Sequence, residues 1–236
     1  MMAGVKKPQW LEGMIDFFFP PLCLGCGEYT ENEGSICGRC LKAIETFDRP
    51  FCLNCMSIIP AGHKCTICKG DSLPLFAYGN YTSPLEDIVI QFKFKGIKTP
   101  AKYFARLLHE QFAPVVEELG SMTLAPIPLH PSRESRRGYN QAELLARELA
   151  QIFGYATQAD LLRRIKLRKE QARLNHKERV ANIRGVFEVA EEFDIDGGVI
   201  LVDDVVTSGS TVREAAGILR TKGYRVVAVL AIAHAL

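Results

Sequence analysis

The sequence predicts an α/β protein in which a small N-terminal cysteine-rich module precedes a domain built on a parallel sheet. Two observations support this class. All 8 cysteines of the 236-residue chain occur at or before residue 68. From residue 121 onward, short continuous apolar segments alternate with amphipathic ones. Strands buried on both faces and joined by helices have this pattern, so the later part of the chain favours a parallel sheet covered by helices.

The first elements of the sheet region are predicted between residues 71 and 120. The segment "SLPLFAYGNYT" indicates a strand or hairpin. The segment "PLEDIVIQFKFKG" indicates a helix that opens at Pro84 with acidic residues in its first turn. A second helix is expected from Thr99 or Pro100 to about His109.

Strands and helices then alternate to the end of the chain. The segment "MTLAPIPL" predicts a strand. In "YNQAELLARELAQIFG", Leu145, Leu149 and Ile152 share one helix face, and Gly154 is a C-terminal stop. A buried strand is predicted from "GVIL" to Val202, and "RVVAVLAIA" predicts the last strand. The helix between these two strands is expected from Thr211 to Lys222.

Composition excludes some classes of protein and places the cysteines in context. The net charge of +2 says little about partners, and no apolar run approaches the ~20 residues of a membrane span. The apolar stretch at 14–24 contains Asp16 and two prolines and lacks the features of a signal peptide. We therefore expect a cytoplasmic protein without a membrane span. In a reducing compartment, metal binding explains many cysteines better than disulfides do.

The cysteines form four C-x-x-C units, "CLGC", "CGRC", "CLNC" and "CTIC". Two such units supply the four thiolates of a tetrahedral zinc site. Sequential pairing would give two sites, and a crossed pairing of the first unit with the third stays possible, so the module would hold one or two zinc ions. The candidate ligands are Cys23, Cys26, Cys37, Cys40, Cys52, Cys55, Cys65 and Cys68.

Alternative roles for this module are less favoured by the spacing. Redox-active pairs would not explain four units in one short segment, and an iron–sulfur cluster is a weaker interpretation. A closed site with four thiolates stabilises a small fold and leaves no open position for chemistry. His63 is interpreted as a surface residue. Phe47, Arg49 and Phe51 either stack on nucleic-acid bases or fill a small core.

The segment "VILVDDVVTSGST", residues 199–211, combines an apolar strand, two acids and a hydroxyl-rich turn. Asp203 would lie at the carboxyl edge of the sheet, where open α/β folds bind ligands. The turn before the next helix suits a phosphate, because backbone N–H groups and the helix dipole favour an anion. Asp203 and Asp204 suit the hydroxyls of a sugar. Together the two halves predict a ribose 5-phosphate group, whereas a simple helix cap would leave the paired acids unexplained.

This segment resembles the phosphoribosyl pyrophosphate signature of type I phosphoribosyltransferases. The resemblance implies that Asp203 and Asp204 hold the ribose hydroxyls and that Mg²⁺ accompanies the diphosphate of the ligand. It also implies that a turn cradles the 5-phosphate, and the residues of that turn are Thr207, Ser208, Gly209, Ser210 and Thr211.

The rest of the chain resembles the ComF family. The motifs are "FFFPPLCLGC", "PIPLHPSRESRRGYNQAELLA" and "RLNHKERVANIRGVFEV", and they occur in the expected order. The resemblance covers almost the whole chain. The resemblance implies a double zinc ribbon over residues 1–70 and a phosphoribosyltransferase-like domain over residues 71–236, of which 71–120 form a bridging region. It further implies a role in natural transformation, in which the protein handles incoming single-stranded DNA with other DNA-uptake proteins as partners.

Basic residues provide candidate contacts for phosphate. Among the arginines of "HPSRESRRGYNQ", Arg137 is the first choice as a donor to the diphosphate, followed by Arg133 and Arg136. Residues 163–184 carry nine basic residues against two glutamates, so this segment is either a phosphate- or DNA-binding arm or a solvated face. The segment "FKFKGIK" at 92–98 interleaves aromatic residues with lysines. It is a second candidate for contact with DNA or phosphate, and the alternative is that its phenylalanines belong to the core.

Two functions are therefore expected from the sequence. The favoured one is DNA handling in competence by a protein whose α/β domain binds phosphoribosyl pyrophosphate. The alternative is an Mg²⁺-dependent phosphoribosyltransferase that transfers the sugar to a nucleobase or another small acceptor. No acceptor site or general base is recognisable in the sequence, so the catalytic residues stay unassigned.

Overall fold

A computed structural model describes residues 21–30, 36–60, 65–68, 72–165 and 185–235 of the chain. His63 and residues 166–184 of the basic segment lie outside the described residues, as do the first four residues, 17–20, of "FFFPPLCLGC". Among the described helices, none is both long and apolar enough to cross a membrane.

The centre of the fold is a six-stranded sheet with the order β1-β2-β8-β7-β3-β4. The sheet is parallel from β2 through β8, β7 and β3 to β4. The edge strand β1 is antiparallel to β2. Strands β5 and β6 form a separate antiparallel pair. The predicted α/β class is therefore confirmed. The strands are β1 (Phe51–Cys52), β2 (Pro74–Asn80), β3 (Met122–Pro126), β4 (Ala156–Thr157), β5 (Leu162–Arg164), β6 (Phe187–Val189), β7 (Gly198–Val206) and β8 (Val226–His234).

Six described helices connect and cover these strands. They are α1 (Gly38–Ala43), α2 (Leu85–Phe94), α3 (Thr99–Glu117), α4 (Pro131–Arg137), α5 (Gln141–Phe153) and α6 (Ser210–Thr221).

Helices α3 and α5 differ in detail from the sequence prediction. Helix α3 continues well past His109, because Phe112 and Val116 extend its buried face. In α5, Leu145 and Leu149 are fully buried as expected, but Ile152 in the last turn is 37% exposed. Small alanines complete the buried face of α5, which allows this helix to pack closely on the sheet.

Strand β7 is longer than predicted, and this changes the position of the two acids. The sequence predicts its end at Val202, whereas the strand continues to Val206. Pairing with β8 explains the extension, because Asp203 lies opposite Ala231 and Val206 lies opposite His234. The acids are therefore held on the last residues of a central strand, a more rigid support than a turn.

The core is divided by the sheet, and the cysteine-rich segment contributes to both faces. On one face, Cys23, Leu24 and Cys40 join the apolar side chains of α2, α3 and α5. On the other face, Phe51 and Leu53 join those of α6 and the β5–β6 pair. The chain passes from one face to the other along the outer side of β2, where Thr46 bridges to Gly79 and β1 pairs with β2.

Candidate functional site

The eight cysteines form two groups of four. In each group the sulfur atoms all lie within 4.8 Å of one another. We call them the first zinc site, made by Cys23, Cys26, Cys37 and Cys40, and the second zinc site, made by Cys52, Cys55, Cys65 and Cys68. The sequential pairing of the C-x-x-C units is therefore the one that the fold adopts, and the crossed pairing is not.

The spacing of the sulfurs fits zinc. Tetrahedral Zn–S bonds of ~2.3 Å place neighbouring sulfurs about 3.8 Å apart. The Sγ atoms of Cys26 and Cys37 are 3.8 Å apart, and those of Cys55 and Cys65 are 3.5 Å apart. An all-thiolate set of this size matches a closed structural site, which supplies folding energy and no catalytic position.

Backbone N–H groups complete the environment of the thiolates. The N–H of Cys37 donates to Cys23 Sγ at 3.2 Å, and the N–H of Cys40 donates to Cys37 Sγ at 3.4 Å. In the second site the N–H of Cys68 donates to Cys65 Sγ at 3.4 Å. Such bonds stabilise sulfur charge and orient each ligand toward the shared centre.

The hydroxyl-rich turn lies at the start of α6. Gly209 has φ +67°, in the left-handed region that glycine adopts without strain, and it is the N-cap of the helix. Thr207 and Ser208 are exposed, and the Ser208 hydroxyl donates to Ser210 Oγ at 3.1 Å. The turn therefore presents hydroxyls and the first amides of α6 to the same small depression, which can accommodate an oxyanion.

The two acids have different surroundings. Asp204 Oδ1 lies 3.0 Å from Lys93 Nζ, and both side chains are largely buried. Asp203 Oδ1 accepts the N–H of Asp204 at 2.8 Å. Burial, together with repulsion from Asp204, raises the pKa of Asp203 to about 7. Asp204 is thus paired with a lysine, whereas Asp203 bonds only to the backbone next to it and is less favoured in its charged form.

A cavity of about 170 Å³ opens at the carboxyl edge of the sheet above these acids. Four cationic side chains and the two carboxylates line it, so its charge favours an anion. Thr211 also lines it and joins it to the depression at the turn. The charged lining residues are Lys93, Arg133, Arg137, Arg164, Asp203 and Asp204.

Arg137 is the most constrained of the predicted phosphate donors. Its Nη1 donates to Gln141 Oε1 at 3.0 Å, and its guanidinium lies 5.0 Å from the centroid of the Phe94 ring. Burial lowers the pKa of Arg137, and the nearby Asp204 partly offsets this. Its buried Nε has no hydrogen-bond partner among the described residues. A buried donor of this kind suits an acceptor supplied by a ligand.

The aromatic candidates separate into core and surface residues. Phe51 is buried, and its ring centroid lies 4.8 Å from that of Phe47, so this pair belongs to the core. Arg49 is exposed beside Asp48. Within "FKFKGIK", Phe92 is fully buried, whereas Phe94 is 60% exposed.

Sequence analysis did not single out two cationic residues of the cavity. Lys93 lies in "FKFKGIK", a candidate segment for contact with DNA or phosphate, and it forms an ion pair with Asp204. Arg164 ends β5, is 7% exposed and lies 5.5 Å from the centroid of the Phe187 ring. Its sequence signal is its place in the basic segment 163–184, which does not distinguish it from the other basic residues there. Both residues are far from the acids in sequence, so only the folded sheet brings them together.

The loop before α5 is fixed by hydrogen bonds that secure Arg137. The Tyr139 hydroxyl donates to the Phe92 carbonyl at 2.5 Å and lies 3.3 Å from the Ile97 carbonyl. Asn140 caps α5 by accepting the N–H of Ala142, and its Nδ2 donates to the Ile127 carbonyl at 3.0 Å. These bonds connect α2 to the loop after β3, and both elements line the cavity.

Replacing Tyr139 with phenylalanine should destabilise the protein by about 1 kcal/mol, because the Phe92 carbonyl loses its shorter hydrogen bond and keeps only the 3.4 Å bond from Gln141 Nε2. Urea unfolding monitored by circular dichroism measures this change. Tyr29→Phe is the matched control, since Tyr29 is 66% exposed. Equal unfolding free energies for the two variants would contradict the structural role of the hydroxyl.

The fold and these sites define a zinc-ribbon protein whose α/β domain carries a charged cavity at the carboxyl edge of its sheet. Residues 14–69 match the family model of the double zinc ribbon domain. The chain is 31% identical over 229 residues to competence protein F of Haemophilus influenzae, an alignment that covers 92% of this chain and 99% of that protein.

Other relatives show the same relationship. The chain is 32% identical to DNA utilization protein YhgH of Salmonella typhi, with 89% of this chain and 95% of that protein covered. It is 27% identical to competence protein ComFC of Streptococcus pneumoniae, with 81% and 84% covered. Similarity of this extent across nearly whole chains establishes that the protein belongs to the ComF family.

Proposed function

We propose that this protein binds phosphoribosyl pyrophosphate in the cavity at the carboxyl edge of the sheet and takes part in handling single-stranded DNA during natural transformation. The observation that carries the proposal is the joining of three features in one place. They are a phosphate-accepting turn, a pair of acids and a cluster of four cationic side chains.

Each feature suits one part of the ligand. The turn at 207–211 and the start of α6 would hold the 5-phosphate, because amides and hydroxyls converge there. Asp203 and Asp204 would accept hydrogen bonds from the two ribose hydroxyls. Arg133 and Arg137 also line the cavity and would bind the diphosphate. Mg²⁺ bound to the diphosphate would neutralise part of its charge.

Calorimetric titration with phosphoribosyl pyrophosphate in the presence of Mg²⁺ tests this assignment. Binding should weaken when inorganic phosphate competes for the turn and should be insensitive to free ribose at equal concentration. The proposal predicts one site per chain. Absence of heat and of thermal stabilisation at millimolar ligand would refute it.

The proposed process is supported by the names of the relatives, which refer to competence and to DNA utilization. The surface around Phe94 supports direct contact with DNA. The Phe94 ring is 60% exposed, and the exposed Lys95 and Lys98 follow it in the same segment. An exposed aromatic ring among cations can stack on an unpaired base while the cations bind the backbone.

Phe94→Ala should weaken binding of a fluorescent oligothymidylate roughly 5- to 150-fold, because stacking of one base contributes about 1–3 kcal/mol. Fluorescence anisotropy at two salt concentrations measures the effect. Ile152→Ala is the matched control, since Ile152 is also an exposed apolar residue. If both variants bind DNA like the wild type, Phe94 is not a base contact.

A second candidate function is transfer of the phosphoribosyl group to an acceptor. A cavity of about 410 Å³ adjoins the first and shares four lining residues with it, Pro128, Leu129, Asn140 and Arg164. Its lining mixes carboxylates with arginines, which suits a polar planar acceptor such as a nucleobase. Diphosphate release during incubation with a panel of nucleobases tests turnover. If the protein binds phosphoribosyl pyrophosphate but releases no diphosphate with any nucleobase tested, the transfer function is refuted and only the binding function stands.

A further inference from the structure

The second zinc site packs directly against the turn at 207–211. A Cβ atom placed on Gly209 would lie 2.6 Å from Leu53 Cδ2 and 2.7 Å from Met56 Cε. Leu53 stands between the ligands Cys52 and Cys55, and Met56 follows the second of them. The positive φ favours glycine here, and the ends of the Leu53 and Met56 side chains contact it closely, so the turn rests on the zinc-binding loop.

Arg213 connects the same two segments. It lies in the first turn of α6, and its Nη1 donates to the Leu53 carbonyl. Burial lowers the pKa of Arg213. An arginine near a phosphate-accepting turn would ordinarily be assigned to the anion. Here its guanidinium instead holds the backbone between two zinc ligands.

A further contact lies just before the turn. His234 at the end of β8 makes a 2.8 Å hydrogen bond between its Nδ1 and the Val206 carbonyl. The ring of His234 packs on Phe51, with centroids 4.9 Å apart, and Phe51 directly precedes Cys52. The zinc-binding segment therefore supports the chain at two points: directly before the turn, at Val206, and within it, at Gly209.

The first zinc site has no comparable position in the described structure. Cys23 and Cys40 pack into the core on the other face of the sheet, with side chains of α2 and α3. A Cβ on Gly25 of its first C-x-x-C unit would meet Cys40 and Pro84, far in sequence from the turn. The first zinc site therefore serves as an internal control, because it has the same four-cysteine ligand set but does not contact the turn at 207–211.

We propose that the second zinc site positions the turn at 207–211, so that zinc retention at Cys52, Cys55, Cys65 and Cys68 is coupled to anion binding at the turn. The inference rests on the proposed function, since it requires that the turn bind the phosphate of the ligand. Loss of zinc frees the Leu53–Met56 support, and the amides of the turn lose their fixed orientation. Coupling between two sites is reciprocal, so a ligand at the turn must also slow zinc loss from the second site.

The test follows zinc release from the full chain to a chromophoric chelator, with ribose 5-phosphate as the probe. This probe carries the phosphate and the hydroxyls but lacks the diphosphate, which would itself bind zinc. One of two zinc equivalents should leave at least threefold more slowly when ribose 5-phosphate is bound. Alkylation of freed thiols followed by peptide mass spectrometry should assign the slowed equivalent to the second site.

Arg213→Met should break the coupling. Without ligand, zinc should leave the second site at least threefold faster, a change that mere loss of a phosphate contact would not cause. Affinity for ribose 5-phosphate should fall by a similar factor. Arg220→Met is the matched control, because Arg220 is on the same helix and its Nη2 also donates to a backbone carbonyl, that of Val226 at 3.3 Å. Met56→Ala, which trims the contact with Gly209, replaces Arg213→Met if that variant does not fold.

The outcomes separate the two proposals. If the protein with two zinc ions does not bind ribose 5-phosphate or phosphoribosyl pyrophosphate, the proposed function fails and the coupling fails with it. If the probe binds but both zinc ions leave at their ligand-free rates, the coupling alone is refuted. It is also refuted if Arg213→Met behaves like Arg220→Met.

Discussion

The double substitution Asp203→Asn/Asp204→Asn is expected to weaken phosphoribosyl pyrophosphate binding roughly 10- to 150-fold while preserving the fold. Hydrogen bonds to a charged acceptor are about twice as strong as neutral ones, so two carboxylates replaced by amides lose about 1.5–3 kcal/mol. The substitution also removes the ion pair between Asp204 and Lys93, which leaves the lysine free to move. Calorimetry on both proteins measures the change in affinity.

Asp194→Asn/Asp196→Asn is the matched control for this experiment. It removes the same charge from exposed positions before β7. If both double variants bind the ligand equally well, the two acids of β7 do not hold the sugar. A transformation assay separates binding from the biological process. Normal transformation by a variant that no longer binds the ligand would show that the site is not needed for competence.

Loss of a thiolate from the first zinc site should be the most damaging change to stability. The wild-type protein should contain two zinc ions per chain, and Cys40→Ser should contain one. Cys40 is buried in the main core beside Leu24, so an open site there would expose apolar surface as well as lose the metal. Structural zinc sites supply several kcal/mol of folding free energy, so the melting temperature should fall by about 10 °C or more.

Elemental analysis and thermal unfolding measure these two quantities. Thr82→Ser is a suitable control, because it is a conservative change at an exposed residue that is not a zinc ligand. A Cys40→Ser protein that retained two zinc ions and the wild-type melting temperature would contradict the assigned ligand set.

Local spacing made the zinc sites and the main elements predictable. A C-x-x-C unit constrains its own geometry, and continuous apolar segments such as "GVIL" have few alternatives to a buried strand. The pairing of the units was not predictable, because it depends on how the chain passes from one face of the sheet to the other. Strand pairing likewise decided that β7 continues through Asp203 and Asp204, since their charge alone predicts an earlier end.

Contacts between segments that are distant in the chain could not be predicted from the sequence. Lys93 meets Asp204 only because α2 packs over the end of β7. The glycine of "TSGST" was predicted as part of a phosphate turn, and its second role against Leu53 and Met56 requires the folded zinc-binding segment. A pattern within one segment predicts what that segment can bind, and the fold determines which other segments support it.

The passage of the cysteine-rich segment along β2 has a consequence for self-association. Phe47 donates its N–H to the Tyr78 carbonyl, and the N–H of Asn80 donates to the Glu45 carbonyl, so backbone groups on the outer side of β2 are already occupied. Unpaired edge strands recruit strands from other molecules. This segment therefore covers the outer edge of a buried seven-residue strand. Because zinc supplies folding energy to so small a module, we expect that coverage to depend on zinc. A chain depleted of zinc would expose the outer edge of β2 to strands of other molecules. Such a chain should aggregate faster at higher protein concentration.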